Sequence, residues 1–389
     1  MNKNISLRTW VEVDKKALKN NYDAFRGLIS KKCRLMAVVK SNAYGHGFAG
    51  YPLLMQKFGV DFFGVDSITE ALTLRKNGIK KPILVLGYTM AENFDEARKN
   101  GISITISSFE QLEKISRLFA SGDIARNDKK GKGNELNIHI KIDTGMHRQG
   151  FQLDEVKKVA LFIKKNLPQI KFEGIYTHFA AAKNPSFPAD TNKQIEQFEK
   201  AVETIKSFGS KPIKHAAATS GTIVFPKAHF DMVRIGIGMM GLWPSYETKA
   251  CYEEKIKLKT ALCWKTIVSE IKYIKKGESI GYDFTENLDR DSKVAILPIG
   301  YWHGYKRDLS SIGHVLIKGK RAKILGRISM DMIVIDVTDV KNIKICDEVV
   351  LLGKDGKEEV TAYELALLAD TSWYEIITQI NPLIKRIHS

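Results

Sequence analysis

Lys40 is the first residue of the sequence whose setting suits covalent chemistry. It follows an apolar run at residues 35–39 and precedes a turn rich in Gly, Asn and His. An apolar run of this length between turn formers predicts a strand buried on both faces. Burial lowers the pKa of a lysine, and a neutral amine can attack a carbonyl group to form a Schiff base. The alternative is a lysine that caps the strand and extends its amine to water.

Several other polar sites lie at or just after the ends of predicted strands. They are Arg148, His178, the segment Thr219-Ser220-Gly221, and Arg234 with Gly236 and Ile237. Taken singly, His178 fits a hydrogen-bonded core histidine, Arg234 one half of an ion pair, and the segment an ordinary turn. Ser and Thr hydroxyls beside glycine N–H groups also form a phosphate cradle. A lysine opposite such a cradle predicts pyridoxal phosphate, whose aldehyde needs an amine and whose phosphate needs this second site.

Strand and helix signals alternate over the first 245 residues. Strands are predicted at 35–39, 62–65, 82–86, 102–106, 137–142, 174–179, 213–218 and 232–236, and nearly every one is followed by apolar residues at helical spacing. This alternation predicts a parallel sheet. Eight units within roughly 250 residues favour a closed (β/α)8 barrel of the TIM type over an open, doubly wound sheet. The polar sites then gather at one rim, where the strands end.

The pattern changes after Trp243-Pro-Ser245. Predicted strands at 263–268, 293–297, 314–317, 332–337 and 348–352 follow without intervening helices, and two helices close the chain. We therefore expect a barrel domain at residues 12–245. We expect residues 246–389, together with 1–11, to form a β-rich C-terminal domain.

Composition excludes few classes of protein but sets expectations about partners. The 389-residue chain is 44% hydrophobic and 27% charged, with a formal net charge of +17. Basic proteins can bind nucleic acid, but the lysines here are dispersed over predicted helix faces. The dense basic segment at 126–133 contains Gly and Asn and is expected to be a surface loop. We therefore expect no nucleic-acid partner.

Neither a signal peptide nor an apolar run of bilayer length is evident, so a cytoplasmic location without a membrane partner is expected. The four cysteines are scattered, with no CxxC pair and no histidine at zinc spacing. No metal site is expected.

One motif resembles a known family. Ala37-Val-Val-Lys-Ser-Asn-Ala-Tyr-Gly-His-Gly47 is similar to the pyridoxal-phosphate lysine motif of the alanine racemases, and the resemblance extends over almost the full length. It implies that Lys40 carries the cofactor. Lys141-Ile-Asp-Thr-Gly-Met-His-Arg148 resembles the family motif in which the lysine is carbamylated, as N6-carboxylysine. In that motif the arginine, here Arg148, contacts the cofactor and the substrate carboxylate. A strand-end lysine without modification is the alternative for Lys141.

The same resemblance assigns the remaining cofactor contacts. It places His178 beside the pyridine ring and Arg234 on the pyridine nitrogen, and it gives the phosphate to Tyr44, Thr219, Gly236, Ile237 and Tyr374. A guanidinium only donates hydrogen bonds, so it leaves that nitrogen unprotonated. The ring is then a weaker electron sink, which favours racemisation over transamination. Ala218 stands where the family pattern has Asn, so one polar contact near the phosphate is lost.

Racemisation needs two bases on opposite sides of one carbon. Gly277-Glu-Ser-Ile-Gly-Tyr282 resembles the motif of the second base, so Lys40 and Tyr282 are the expected catalytic pair. An exposed strand-end aromatic is the alternative for Tyr282. The resemblance further implies Tyr301 at the substrate entry and Met330 at the carboxylate. In the family these second-domain residues reach the barrel of another subunit, which implies a homodimer with shared sites.

The resemblance therefore predicts an isomerase that interconverts L- and D-alanine by two-base proton transfer at Cα of a pyridoxal-phosphate aldimine. Its product would supply peptidoglycan. Serine or a broader set of small amino acids is the near alternative, because the sequence does not disclose the size of the pocket. A barrel-type decarboxylase, a single-barrel pyridoxal-phosphate carrier and a nucleic-acid-binding protein are the more distant ones.

Overall fold

A computed structural model describes residues 7–122 and 135–389, so the basic segment at 126–133 lies outside the described residues. The chain divides into two compact units. The barrel unit contains residues 16–41 and 51–260, and the β-rich unit contains the residues up to Lys15 together with 42–50 and 261–389. Strand β1 (Thr9–Val13) belongs to the β-rich unit. The domain division at residue 245 stays a prediction, and residues 246–260 lie in the barrel unit.

Eight parallel strands form the sheet of the barrel unit, as the sequence predicts. Their order in the sheet is β8-β7-β6-β5-β4-β3-β2-β9. The strands are β2 (Arg34–Val38), β3 (Phe62–Val65), β4 (Ile83–Val85), β5 (Ile102–Ile106), β6 (Leu136–Lys141), β7 (Ile170–Tyr176), β8 (Ile213–His215) and β9 (Met232–Ile235). Every residue of β3, β4 and β5 is buried, as expected for strands covered on both faces.

The sheet curls until its two edge strands meet. Asp231 N–H donates to Lys214 O and Arg234 N–H donates to Ala217 O, both at 3.0 Å. These bonds join the edges of β8 and β9, which share no regular ladder. The barrel is therefore nearly closed, and Arg234 lies at its seam.

Helical segments precede, connect and follow the barrel strands along the chain. They are α1 (Lys15–Leu28), α2 (Lys40–Tyr44), α3 (Tyr51–Phe58), α4 (Ile68–Lys76), α5 (Phe94–Lys99), α6 (Phe109–Ser121), α7 (Val156–Asn166), α8 (Ala189–Ser207), α9 (Thr219–Val224) and α10 (Tyr246–Tyr252). Short 3-10 turns occur at Ala91–Asn93, Leu153–Glu155, Pro226–Ala228 and Ile237–Met240.

Helix α6 shows why these segments are helical. Ser108 caps its first turn by accepting the Gln111 N–H, and Gly122 ends it in the left-handed conformation. Leu112, Ile115 and Phe119 recur at helical spacing and are buried.

The β-rich unit contains three sheets. The largest has the order β16-β15-β18-β10-β1-β20, with β19 paired to β18; β11-β14-β17 and β12-β13 form the others. The strands are β10 (Leu262–Ile267), β11 (Glu270–Ile274), β12 (Ser279–Ile280), β13 (Glu286–Asn287), β14 (Ser292–Leu297), β15 (His314–Ile317), β16 (Lys320–Lys323), β17 (Ile333–Asp336), β18 (Glu348–Asp355), β19 (Glu358–Val360) and β20 (Lys385–His388). Helices α11 (Ala362–Leu368) and α12 (Trp373–Thr378) and 3-10 turns at Tyr282–Phe284, Tyr301–His303 and Arg307–Leu309 complete it.

The two ends of the described chain meet in the large sheet of this unit. Strand β1 pairs antiparallel with β10 and parallel with β20. Trp264 is buried in this sheet and packs on the Tyr305 ring, with centroids 5.9 Å apart. Among the described residues, no helix is both long and apolar enough to span a membrane.

Candidate active site

Polar residues predicted to do chemistry gather at one rim of the barrel. Lys40 follows β2, Lys141 ends β6, and His178 lies two residues beyond β7. The sequence predicts a strand at 174–179 that includes His178, but β7 ends at Tyr176. Because the strands are parallel and in sheet order, their carboxyl ends face the same side.

The chain reverses sharply after β2. Val39 N–H donates to Gly64 O at 2.8 Å, which continues the sheet to the residue before Lys40. The next four residues, at 41–44, all have positive φ, between 51° and 56°, so α2 is a left-handed turn. Such residues cost about 1–2 kcal/mol each when they carry a side chain. The Glu70 carboxylate supports the turn by accepting the Ser41 N–H at 2.7 Å, so the chain leaves the sheet immediately beyond Lys40.

Lys141 is a buried amine surrounded by positive charge. Its exposed fraction is 5%. Burial first, and then the charges of Arg148, Arg234 and Lys40, lower its pKa from 10.5 to about 8. Three predicted site cations therefore lie near this amine. A substantial fraction of Lys141 is neutral near pH 8, the form that reacts with carbon dioxide. Its carbamylation stays a prediction.

The loop between Lys141 and Arg148 is held by one carboxylate. Asp143 accepts the backbone N–H groups of Gly145, Met146 and His147 at 2.9, 3.0 and 3.1 Å. Burial raises the pKa of Asp143, but these hydrogen bonds outweigh it and leave the pKa lowered. The Arg148 side chain is exposed at the end of this loop, where it is free to meet an anion.

Arg234 is buried, with 3% exposed, in a cage of neutral acceptors. Its Nη1 donates to His215 Nδ1 at 2.9 Å and to His215 O at 3.0 Å. Its Nη2 donates to Thr177 O and Ala216 O, both at 2.8 Å, and lies 3.3 Å from His178 Nδ1. Burial lowers the pKa of Arg234 to about 10, and it lowers that of His178 well below the usual value, helped by the charge of Arg234. The guanidinium stays protonated and the imidazole neutral.

The Nε–H of Arg234 has no hydrogen-bond partner in the described ranges 7–122 and 135–389. A rigid donor that lacks an acceptor suits the ring nitrogen of a pyridine. The residues present therefore fit pyridoxal phosphate at this point of the rim.

A second pair of predicted residues meets at the ends of β8 and β9. Gly236 N–H donates to the Thr219 hydroxyl at 3.3 Å, and both residues are buried, next to Ile237. Thr219 begins α9, and Ala218 is its N-cap without a side-chain hydrogen bond. Ala218 stands where the family pattern has Asn, so no side-chain amide caps this end of α9. Hydroxyl and backbone N–H groups in this arrangement suit a phosphate.

The β-rich unit brings its own predicted residues together in two groups. The rings of Tyr44 and Tyr374 have centroids 6.4 Å apart. Tyr301 N–H donates to Ser329 O, and Trp302 N–H donates to Met330 O, both at 3.1 Å, so Tyr301 and Met330 lie on adjacent segments.

Tyr282 belongs to the same unit and is exposed, with 68% of its surface accessible. It follows Gly281, which has a φ of 81°. The neighbouring Asp283 pairs with Arg327 at 2.9 Å. The phenol of Tyr282 is thus accessible to a ligand, and the role of Tyr282 as a base stays a prediction.

The sequence analysis missed a group of polar residues inside the barrel. His139, His215 and Tyr176 are almost fully buried, and Glu173 has a side chain only 9% exposed. His139 shares a strand face with Lys141, two residues on in β6. This two-residue spacing from a predicted site residue is the sequence feature that could have identified His139.

Comparisons with known proteins agree across both units. The chain matches the family model "Alanine racemase, N-terminal domain" over residues 13–244 and "Alanine racemase, C-terminal domain" over residues 261–388. It is 39% identical over 381 residues to an alanine racemase of Symbiobacterium thermophilum, which covers 98% of this chain and 97% of that protein. An alanine racemase of Methanococcus maripaludis is 37% identical over 390 residues, 99% of each chain.

Solved structures agree with the sequence matches. The structure of alanine racemase from Bacillus anthracis with bound L-Ala-P superposes with a TM-score of 0.91 at 33% identity, covering 99% of this chain and 96% of that one. A histidine racemase from Leuconostoc mesenteroides superposes with a TM-score of 0.86 at 26% identity, covering 99% of each chain. Since both family models match and together span nearly all of the sequence, the chain belongs to the alanine racemase family.

Proposed function

We propose that the chain is an amino-acid racemase that interconverts L- and D-alanine with pyridoxal phosphate as its cofactor. The observation that carries this proposal is Arg234. Its guanidinium is fixed by neutral acceptors on both terminal nitrogens and has an Nε–H left to donate. A donor-only group at the pyridine nitrogen keeps that nitrogen unprotonated, and this suits brief charge build-up and fast reprotonation. Near full-length matches to alanine racemases support the same conclusion.

The barrel rim would hold the cofactor between Lys40 and the phosphate cradle. Lys40 would bind its aldehyde carbon, His178 would lie against its ring, and Arg234 would donate to its nitrogen. The phosphate would be bound by Thr219, Gly236, Ile237, Tyr44 and Tyr374. Pyridoxal phosphate, when bound, withdraws electrons from Cα of an attached amino acid and so weakens the C–H bond.

The remaining residues would bind the substrate and move its proton. Arg148 would bind the substrate carboxylate, with Met330 beside it and Lys141 holding the arginine. Lys40 and Tyr282 would each hold or release a proton at Cα from opposite sides, and Tyr301 would line the entry. The second base is expected from a second copy of the chain, in a homodimer in which the barrel domain at 12–245 meets the β-rich domain formed by 246–389 with 1–11.

Chiral chromatography of the products tests this proposal. Purified protein with pyridoxal phosphate is incubated with L-alanine, L-serine and L-histidine, one at a time. We expect D-alanine to form fastest; D-serine or D-histidine formed faster would reassign the substrate. Lys40→Ala should abolish turnover and the visible absorbance of the bound cofactor, whereas Lys164→Ala, on the exposed face of α7, should change neither. Release of carbon dioxide without a D-product would indicate a decarboxylase and refute the proposal. A D-alanine product in the cytoplasm would serve peptidoglycan synthesis.

A further inference from the structure

A chain of hydrogen bonds runs through the barrel interior from Arg234 to a carboxylate. Arg234 Nη1 contacts His215 Nδ1 at 2.9 Å, and His215 Nε2 contacts His139 Nδ1 at 2.9 Å. His139 Nε2 then contacts Glu173 Oε2 at 3.2 Å. Both histidines have no exposed surface. Glu173 is thus linked to Arg234 through two side chains and touches neither the rim nor the guanidinium.

The two ends of this chain fix the direction of every bond in it. A guanidinium has only donors, so His215 Nδ1 must accept and its proton must be on Nε2. That proton is donated to His139 Nδ1, so the proton of His139 is also on Nε2. The carboxylate of Glu173 has only acceptors and receives it. Burial lowers the pKa of both histidines, which keeps each neutral with one proton, as the chain requires.

The residues around Glu173 donate hydrogen bonds to its carboxylate and so favour the ionised form. The Ser103 hydroxyl donates to Oε2, and the Lys171 amine lies 3.0 Å from Oε1. Burial raises the pKa of Glu173, but the hydrogen bonds from His139, Ser103 and Lys171 outweigh it and lower the pKa to about 2. The carboxylate therefore stays an acceptor throughout the physiological range.

Packing also restricts the orientation of the two imidazole rings. The Tyr176 ring stacks on His215 with centroids 4.7 Å apart and planes within 8°. His139 lies edge-on to Phe62, at 6.2 Å. Gly174 makes room for it, since a Cβ there would overlap His139 Nδ1. A larger residue at that point would break the chain.

We infer that Glu173 is a positioning residue for Arg234. Through His139 and His215, it fixes which nitrogen of each imidazole accepts, and it thereby holds the guanidinium with its Nε–H directed at the cofactor nitrogen. Glu173 is also the carboxylate at the far end of this chain, whereas every direct partner of Arg234 in the cage is neutral. The inference rests on the proposed function for its consequence, but the hydrogen-bond direction does not.

The direction of the chain can be measured without substrate or cofactor. The protein has nine histidines, so histidine-selective 15N labelling gives a spectrum simple enough to assign with single variants. We expect His139 and His215 both to be neutral with the proton on Nε2. A proton on Nδ1 of either ring, or a doubly protonated ring, would overturn the inference. This result stands even if the protein proves to bind no pyridoxal phosphate.

A matched pair of variants tests whether the carboxylate acts on Arg234. Glu173→Gln keeps the shape of the side chain and removes its charge, while Lys171→Gln removes only the outer partner of Glu173. In Glu173→Gln we expect the His215 15N signals to shift, although His215 does not touch residue 173. The dissociation constant of pyridoxal phosphate should rise about tenfold, the loss of part of one charge-assisted bond. Lys171→Gln should leave the His215 15N signals in place and change the dissociation constant by no more than about twofold.

A third variant tests the route. In a His139→Phe background, Glu173→Gln should have no further effect on cofactor affinity, because the connection is already cut. An equal loss of affinity in both backgrounds, or equal losses in Glu173→Gln and Lys171→Gln, would refute a positioning role. If His139→Phe does not fold, the comparison of Glu173→Gln with Lys171→Gln decides.

Discussion

Replacing Lys141 with Met should stabilise the fold at neutral pH even as it removes a residue of the candidate site. The Lys141 amine is 5% exposed, and its pKa falls from 10.5 to about 8, mainly through burial and then through the charges of Arg148 and Arg234. The folded protein therefore binds this proton less tightly than the unfolded chain does. Protonated Lys141 opposes folding, and Met carries no charge to bury.

The size of the gain follows from the shift. Each pKa unit corresponds to about 1.4 kcal/mol, so the penalty is about 3 kcal/mol at pH 7, below the folded pKa. This penalty fades as the pH rises from about 8 towards 10.5, and about 1.4 kcal/mol remains at pH 9.5. We expect Lys141→Met to raise the free energy of unfolding by these amounts.

Urea unfolding of cofactor-free protein in carbon dioxide-free buffer measures this gain at pH 7 and pH 9.5. Lys164→Met, on the exposed face of α7, is the control and should change stability by no more than about 0.5 kcal/mol. A destabilised Lys141→Met, or a gain that does not shrink at the higher pH, would refute the burial penalty. Added bicarbonate should stabilise only the wild type if Lys141 becomes a carbamate, since an anion would then face Arg148 and Arg234.

Three further substitutions, two of them with a matched control variant, probe Tyr282, the packing around His139 and the phosphate cradle. Tyr282→Phe should retain the absorbance of bound cofactor but lose Cα hydrogen exchange from one enantiomer of alanine far more than from the other; equal exchange in both directions would remove Tyr282 from the mechanism. Gly174→Ala places a methyl group against His139 and should lower the free energy of unfolding by about 1–3 kcal/mol. Gly27→Ala, in α1 with no atom near the added methyl, should be neutral or stabilising by up to about 1 kcal/mol in the same urea assay. Thr219→Ala should raise the dissociation constant of pyridoxal phosphate about tenfold, and Thr219→Ser should change it little, because the hydroxyl is kept; equal losses would argue against a hydroxyl contact.

The barrel was predictable because local sequence specifies its elements. Strands β3 and β5 have the bounds that the apolar runs predict. Strands β1 and β20 were not predicted. β1 stands directly before a helix, and β20 has only one apolar residue, with half of its four residues exposed. β1 pairs with β10 and with β20, and β20 pairs with β1. These partners lie far away in the sequence, and no local pattern reports them.

The site was predictable where a residue type sits at a strand end, as Lys40, Lys141 and Arg234 do. The left-handed turn after Lys40 was not, because side chains disfavour positive φ and only tertiary contacts impose it here. The link between His139 and His215 joins residues far apart in sequence. Its importance depends on hydrogen-bond direction, which composition and spacing do not encode.

Two-sided proton transfer at Cα is tested most directly in deuterated water. The protein, loaded with pyridoxal phosphate, is incubated separately with pure L-alanine and pure D-alanine. Enantiomers have equal free energy, so we expect both reactions to reach equal amounts of the two forms, with one deuterium at Cα of the alanine. Deuterium exchange with complete retention of the starting enantiomer would show that one base acts from one side only, and would contradict the roles given to Lys40 and Tyr282.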